Sequence, residues 1–283
     1  MLAQGEQRQG LRAGSLLARL GVSLPAGLLI VAWVLLMISV PIINWTLGQS
    51  AMRQMLVVSV VAQAAAVLAI LQQAWGWART LRLAAAVSLL TFLVEFLGSR
   101  TGFPFGPYSY TDLLQPQLGH VPLLIPLAWF MMLPAAWATV YHYRGRRLRF
   151  ILLSAVALTA WDMLLDPQMV AWGLWVWNNP GGFFGIPWSN YAGWLLTAAL
   201  LTWLLRPAGL PVRPLLFIYT ITWFLESFGL AFFWGLPGPA LAGGLLMGLF
   251  VLVGWWPVIA ARPGEPSTQQ ETRITPHDPN PTP

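Results

Sequence analysis

Four acidic residues stand inside long apolar runs: Glu95, Asp162, Asp166 and Glu226. A charged carboxylate at mid-bilayer costs roughly 2.5–3.5 kcal/mol on insertion scales, and intramembrane acids are usually functional. Asp162 and Asp166 are i and i+4, so they share one helix face. With a rise of about 1.5 Å per residue, Glu95, Asp162 and Glu226 each lie roughly 18–21 Å from the inner end of their helix, and Asp166 lies one turn further out. Four carboxyls in one layer suit proton transfer. A carboxyl in an apolar site beside a like charge resists ionisation, whereas an ionised neighbour can orient water and accept its proton. Ionising both Asp162 and Asp166 there is unfavourable, so the pair is expected to hold a proton near neutral pH and to donate it. Glu95 and Glu226 are expected to face the pair, one of them positioning water. The competing reading for each acid is a brace between helices, and for Asp166 a helix cap before Pro167. The remaining acids, Glu6, Asp112, Glu265, Glu271 and Asp278, fall in the tails or in a connection.

Such residues need apolar helices to carry them. The chain has 283 residues, 57% of them hydrophobic and only 8% charged, whereas a soluble domain carries about 25% charged residues. Apolar runs of about 20 residues recur, each long enough to cross a ~30 Å hydrocarbon core. They are continuous rather than alternating, which excludes a barrel and makes each span a helix. The reading is an all-α polytopic membrane bundle with eight spans at 24–47, 54–75, 81–98, 121–141, 150–170, 188–205, 214–234 and 238–261. The first span is too long for a signal-peptide core and is expected to be retained. Residues 1–23 are then an amino-terminal cytoplasmic segment, 24–261 the transmembrane domain, and 262–283, rich in Pro and Thr, a disordered cytoplasmic tail.

All 15 basic residues are Arg, and an eight-span alternation places thirteen on one side and two, Arg53 and Arg100, on the other. That asymmetry puts both termini in the cytoplasm of a multi-pass protein of the cytoplasmic membrane, with the acid layer in the outer half. The net charge of +6 does not indicate nucleic acid, because the Arg residues lie between spans rather than on one soluble face. Thr91-x3-Glu95-x2-Gly98 in the third span is echoed by Thr222-x3-Glu226-x2-Gly229 in the seventh. A four-helix offset keeps the membrane orientation, so the echo would make two parallel four-helix halves.

Two long connections, 98–110 and 172–191, overlie the acid layer, and their Gly and Pro residues specify turns. Their aromatics fit an interfacial belt. Interleaved Asn178, Asn179, Ser189 and Asn190 fit better a lid with aromatic walls over an apolar substrate. Candidate wall residues are Phe105, Tyr108, Tyr110, Trp161, Trp188, Asn190 and Tyr191. There is no Cys, and His120, His142 and His277 lack ligand spacing, so no metal site is expected. No Walker-type or dinucleotide glycine motif occurs.

Three segments together carry a resemblance: Glu95-Phe-Leu-Gly-Ser-Arg-Thr-Gly-Phe-Pro-Phe-Gly-Pro-Tyr-Ser-Tyr110, Ala160-Trp-Asp-Met-Leu-Leu-Asp-Pro167 and Gly182-Phe-Phe-Gly-Ile-Pro-Trp-Ser-Asn-Tyr191. The combination resembles the membrane carotenoid 1,2-hydratases of the bisanhydrobacterioruberin hydratase or γ-carotene 1′-hydroxylase type, over about residues 85–235. The resemblance implies addition of water to the terminal C1=C2 double bond of an acyclic ψ end, without a cofactor, giving a tertiary alcohol. The implied partners are an acyclic or monocyclic carotenoid, water, the lipid bilayer and other enzymes of carotenoid synthesis. The chemistry needs a proton at C-2, a tertiary cation at C-1 and water to capture it, and carboxylates and aromatic faces can stabilise such a cation. Rival readings are a lycopene-cyclase-like enzyme, which shares the first protonation, and a non-enzymatic carotenoid binder or transporter. Asp162-x3-Asp166 also resembles one motif of intramembrane prenyltransferases, but the second Asp-rich motif of those enzymes is missing and the acid layer lies on the Arg-poor side.

Overall fold

A computed structural model of the chain describes residues 20–260. The expected tail, 262–283, and most of the expected amino-terminal segment lie outside the described residues. Among the described residues there are eight α-helices: α1 Leu24–Leu47, α2 Gln49–Trp75, α3 Trp77–Thr101, α4 Leu124–Thr139, α5 Arg147–Ala171, α6 Trp188–Leu205, α7 Val212–Phe232 and α8 Pro237–Ala260. Six of them are long and apolar enough to cross a membrane: α1, α2, α3, α5, α7 and α8. The outer faces of these helices carry stripes of exposed leucines and isoleucines. On α8 the stripe runs Leu241, Leu245, Leu249, Leu252, Trp256 and Ile259. A contiguous apolar surface of that kind is stable in lipid and not in water, so the chain is a multi-pass membrane bundle.

The shorter helix α4 sits at the centre, and every residue from Ala128 to Val140 is buried. Its 16 residues span about 24 Å, less than a bilayer core. Its apolarity matches protein neighbours rather than lipid: α4 packs against α2, α3, α5 and α7. Small residues allow close approach. A Cβ on Gly254 of α8 would stand 2.9 Å from the Thr139 Cα of α4. The two four-helix halves do not pack alike. α5 lies along α8, whereas α1 and α4, the equivalent pair, have no comparable contact.

The connections form the roof. β1 Tyr108–Tyr110 pairs antiparallel with β4 Trp175–Trp177, matching Tyr108 with Trp177 and Tyr110 with Trp175. Strand side chains alternate. Ser109 and Val176 therefore point outward while Tyr108, Trp175 and Trp177 are buried beneath them. A small hairpin, β2 Gln117–Leu118 with β3 Val121–Pro122, leads into α4.

Candidate active site

Three of the four acids meet beneath the ribbon. α3 presents Glu95, and α5 presents Asp162 and Asp166; they are 4%, 0% and 2% exposed. Glu95 accepts three hydrogen bonds. Its Oε2 takes hydrogen bonds from the Tyr108 hydroxyl at 2.5 Å and the Tyr110 hydroxyl at 2.8 Å, and its Oε1 takes one from the Trp129 indole at 3.4 Å. Burial, and then the adjacent Glu95, raise the pKa of both tyrosines, so both hydroxyls stay protonated donors. Asn190, in the first turn of α6, bridges the aspartates: its amide donates to Asp162 Oδ2 at 2.9 Å and to Asp166 Oδ2 at 2.5 Å. The Trp175 indole donates to Asp166 Oδ1. Asp162 Oδ1 is buried without a partner. Helix α5 runs on through Pro167 to Ala171, so Asp166 does not cap a helix end.

These groups line a cavity of about 30 Å³. A single water needs roughly 10–15 Å³ on this measure, so the space holds a water or two and no organic substrate. Phe105 lines it, clamped between two glycines. A Cβ on Gly98 or Gly193 would lie 2.8 or 2.6 Å from the Phe105 ring.

Glu226 belongs to a different space. It lines an apolar chamber of about 600 Å³ between α1, α2, α4, α5 and α7, well inside the range of cavities that hold small apolar ligands. The Trp161 indole donates to Glu226 Oε1 at 3.1 Å, while Oε2 is buried without a partner. The two cavities share Ile125, Ala128, Leu165 and Trp175 as a common wall. An aromatic relay also joins them: Trp161 packs edge-on to Trp194 at 5.9 Å, and Trp194 stacks on Trp129 at 4.1 Å. The layer of four carboxyls expected from depth is thus split into three acids around a water-sized pocket and one acid in an apolar chamber.

Of the wall candidates, Phe105, Tyr108, Tyr110 and Asn190 line the small cavity and Trp161 lines the large one. Trp188 and Tyr191 line neither. Trp188 is 62% exposed at the start of α6, and Tyr191 is buried beside it against Phe183. Trp129, Trp175 and Trp194 complete the site and were missed in the sequence. Only Trp175 carried a signal, through the Trp-Val-Trp alternation of β4. Gln63 was missed too: it lines the large chamber and donates to Thr222 Oγ1 at 3.1 Å. A lone amide in an otherwise apolar span was its signal. Among the described residues no group of three or more His, Cys, Asp or Glu side chains is placed to hold a metal ion.

A family profile described as carotenoid biosynthesis protein matches residues 54–250. The chain belongs to the carotenoid biosynthesis protein family. All of the cavity-lining acids fall within the matched residues. The chain is also 38% identical over 120 residues to bisanhydrobacterioruberin hydratase of Haloarcula japonica. That match covers 41% of this chain and spans 41% of the relative's length. No solved structure matches the chain. Family membership places the chain among carotenoid biosynthesis proteins.

Proposed function

We propose that the protein is a carotenoid hydratase, a hydro-lyase that adds water across the terminal C1=C2 bond of an acyclic ψ end by acid–base catalysis. The observation that carries this reading is the adjacency of the two cavities. A water-sized pocket ringed by carboxyls shares a wall with an apolar chamber that holds a single carboxyl with a free oxygen. An enzyme that joins water to an alkene needs both compartments and must keep them apart until the cation forms.

The hydrogen-bond inventory divides the roles. Glu95 is committed to three donors and stays an acceptor that holds the roof. Glu226 faces the apolar chamber with one oxygen unpartnered, so in its acid form it can give its proton to C-2. This moves the donor role from the aspartate pair expected in the sequence to Glu226. The tertiary cation at C-1 is then flanked by the Trp161 ring and the Glu226 carboxylate. Water held between Asp162 and Asp166 forms the new C–O bond and passes its proton to the free Oδ1 of Asp162. One proton leaves Glu226 and one arrives at Asp162, and return of that proton to Glu226 completes the net addition of one water.

The reading places the protein in the cytoplasmic membrane with both termini in the cytoplasm and the acid cluster in the outer half. Expression in a host that accumulates lycopene tests the activity. A product heavier by one water supports a hydratase. A cyclised product of unchanged mass would assign the same first protonation to a cyclase, and bound but unaltered lycopene would leave only a binder.

A further inference from the structure

The large chamber has residues on its wall that are also exposed on the outside of the protein. Ile38, Ile42 and Trp45 of α1, with Phe224 and Phe228 of α7 and the following Phe233, all line the chamber and are between 37% and 62% exposed. Side chains that meet both make the wall there one side chain thick. That thin flank, where the bundle can open, lies between α1 and α7 and faces the acyl chains rather than water. The helix packing explains why the seam is there. α1 packs along α2 over much of its length, but it meets α7 only slightly. The Trp45 and Phe233 rings touch edge-on, with centroids 5.3 Å apart.

Three further features fit passage through this seam. Pro41 sits inside α1 and lines the chamber. It removes a helical hydrogen bond at the level of that flank and allows α1 to bend there. On the α7 side Phe224, Phe228 and Phe232 form a run of rings at 5.9 and 4.6 Å, flat faces suited to a polyene. Glu226 lines the same chamber as Phe224 and Phe228, so a chain end that enters the chamber can reach the acid. The roof, by contrast, is fastened shut by Tyr108 and Tyr110 on Glu95 and by Trp175 on Asp166.

We propose that the chamber fills from the side: one end of a linear isoprenoid chain slides out of the bilayer between α1 and α7 while the rest of the chain stays in lipid. This rests on the carotenoid reading of the chamber and adds a consequence for specificity. The chamber inspects only the inserted end, so the far end of the substrate is unread. Acyclic and monocyclic carotenoids with the same ψ end are then accepted alike, and a molecule with two ψ ends must leave and re-enter to react twice.

The chain has no cysteine, so the seam can be closed chemically without background. In a Trp45→Cys, Phe233→Cys protein reconstituted in liposomes, a short bis-methanethiosulfonate reagent joins α1 to α7. The readout is lycopene that stays with the protein after detergent extraction from the liposomes and washing on an affinity resin, measured by its visible absorption. The expected result is loss of lycopene uptake in the joined protein, recovery on reduction, and no loss when Trp45→Cys alone carries a monofunctional reagent. Uptake that survives the cross-link would overturn the proposal. A second arm needs no cross-link: in Ile42→Cys, bound lycopene should slow labelling by N-ethylmaleimide, and unchanged labelling counts against lateral entry. Because uptake rather than alcohol is measured, a protein that takes lycopene through the seam and makes no alcohol refutes the hydratase reading alone. Alcohol made with the seam closed refutes the side entrance alone.

Discussion

Glu95→Gln and Glu226→Gln are the same chemical change at two positions of the same Thr-x3-Glu-x2-Gly motif, and their consequences should be opposite. At Glu95 three donors converge on two oxygens. Glutamine offers one oxygen and one amide group. If its oxygen faces the two tyrosines, its amide confronts the Trp129 N–H and leaves that buried donor unpaired. If it turns over, the two hydroxyl protons lose their acceptor. At least one buried donor is stranded, and the bonds that remain lose their charge assistance. The sum is roughly 2–4 kcal/mol, or about 5–15 °C in Tm for a chain of this size. At Glu226 only Trp161 donates. The glutamine oxygen keeps that bond and the amide replaces an oxygen that had no partner, so stability should change by less than about 1 kcal/mol. Activity should divide the other way, with Glu226→Gln losing ~10²–10⁴ in rate as expected for a missing general acid. Thermal unfolding in detergent and alcohol formed per folded protein read the two quantities separately. A Glu226→Gln protein that is stable and fully active would refute the assignment of Glu226 as the proton donor. A Glu95→Gln protein with unchanged Tm would refute the hydrogen-bond argument.

Asn190→Leu should strand Asp162 Oδ2 and Asp166 Oδ2 at a cost of roughly 1–3 kcal/mol each, seen as a lower Tm in detergent. Gly193→Ala should drive a methyl group into the Phe105 ring and cost about 1–3 kcal/mol from overpacking, again read as Tm, and should lower alcohol formation by displacing the roof. Reporter fusions at Arg146 and Gly181 should give opposite sides of the membrane, with Arg146 cytoplasmic; reports from the same side would break the eight-span alternation.

The helices were legible because lipid and core both demand apolar runs: all eight expected spans overlap observed helices, six of which are long and apolar enough to cross a membrane. Their ends were less so. α2 begins at Gln49 rather than 54, and α3 runs Trp77–Thr101 rather than 81–98, because hydropathy marks the width of the hydrocarbon and helical hydrogen bonding continues past it. α4 shows a second limit. An apolar run reads alike whether lipid or protein surrounds it, so its place at the centre of the bundle was invisible. The acids show a third. Depth follows from counting along a helix, and that count placed Glu226 level with Glu95. Azimuth needs a pronounced amphipathic face, and in α3 and α7 apolar residues stand on the lipid-facing and the buried side alike. The sequence therefore could not tell that Trp161, Trp194 and Trp129 stand between the two glutamates. The roof was half legible: its aromatics and turns were plain, but the pairing of Tyr108–Tyr110 with Trp175–Trp177 joins residues too far apart in the chain for local pattern to reveal it.

The source of the new oxygen tests the central claim most directly. The protein, given lycopene in liposomes and water enriched in ¹⁸O under air, should produce a tertiary alcohol carrying the heavy label from water. Oxygen drawn from O₂, or a product without added mass, would contradict the hydratase account.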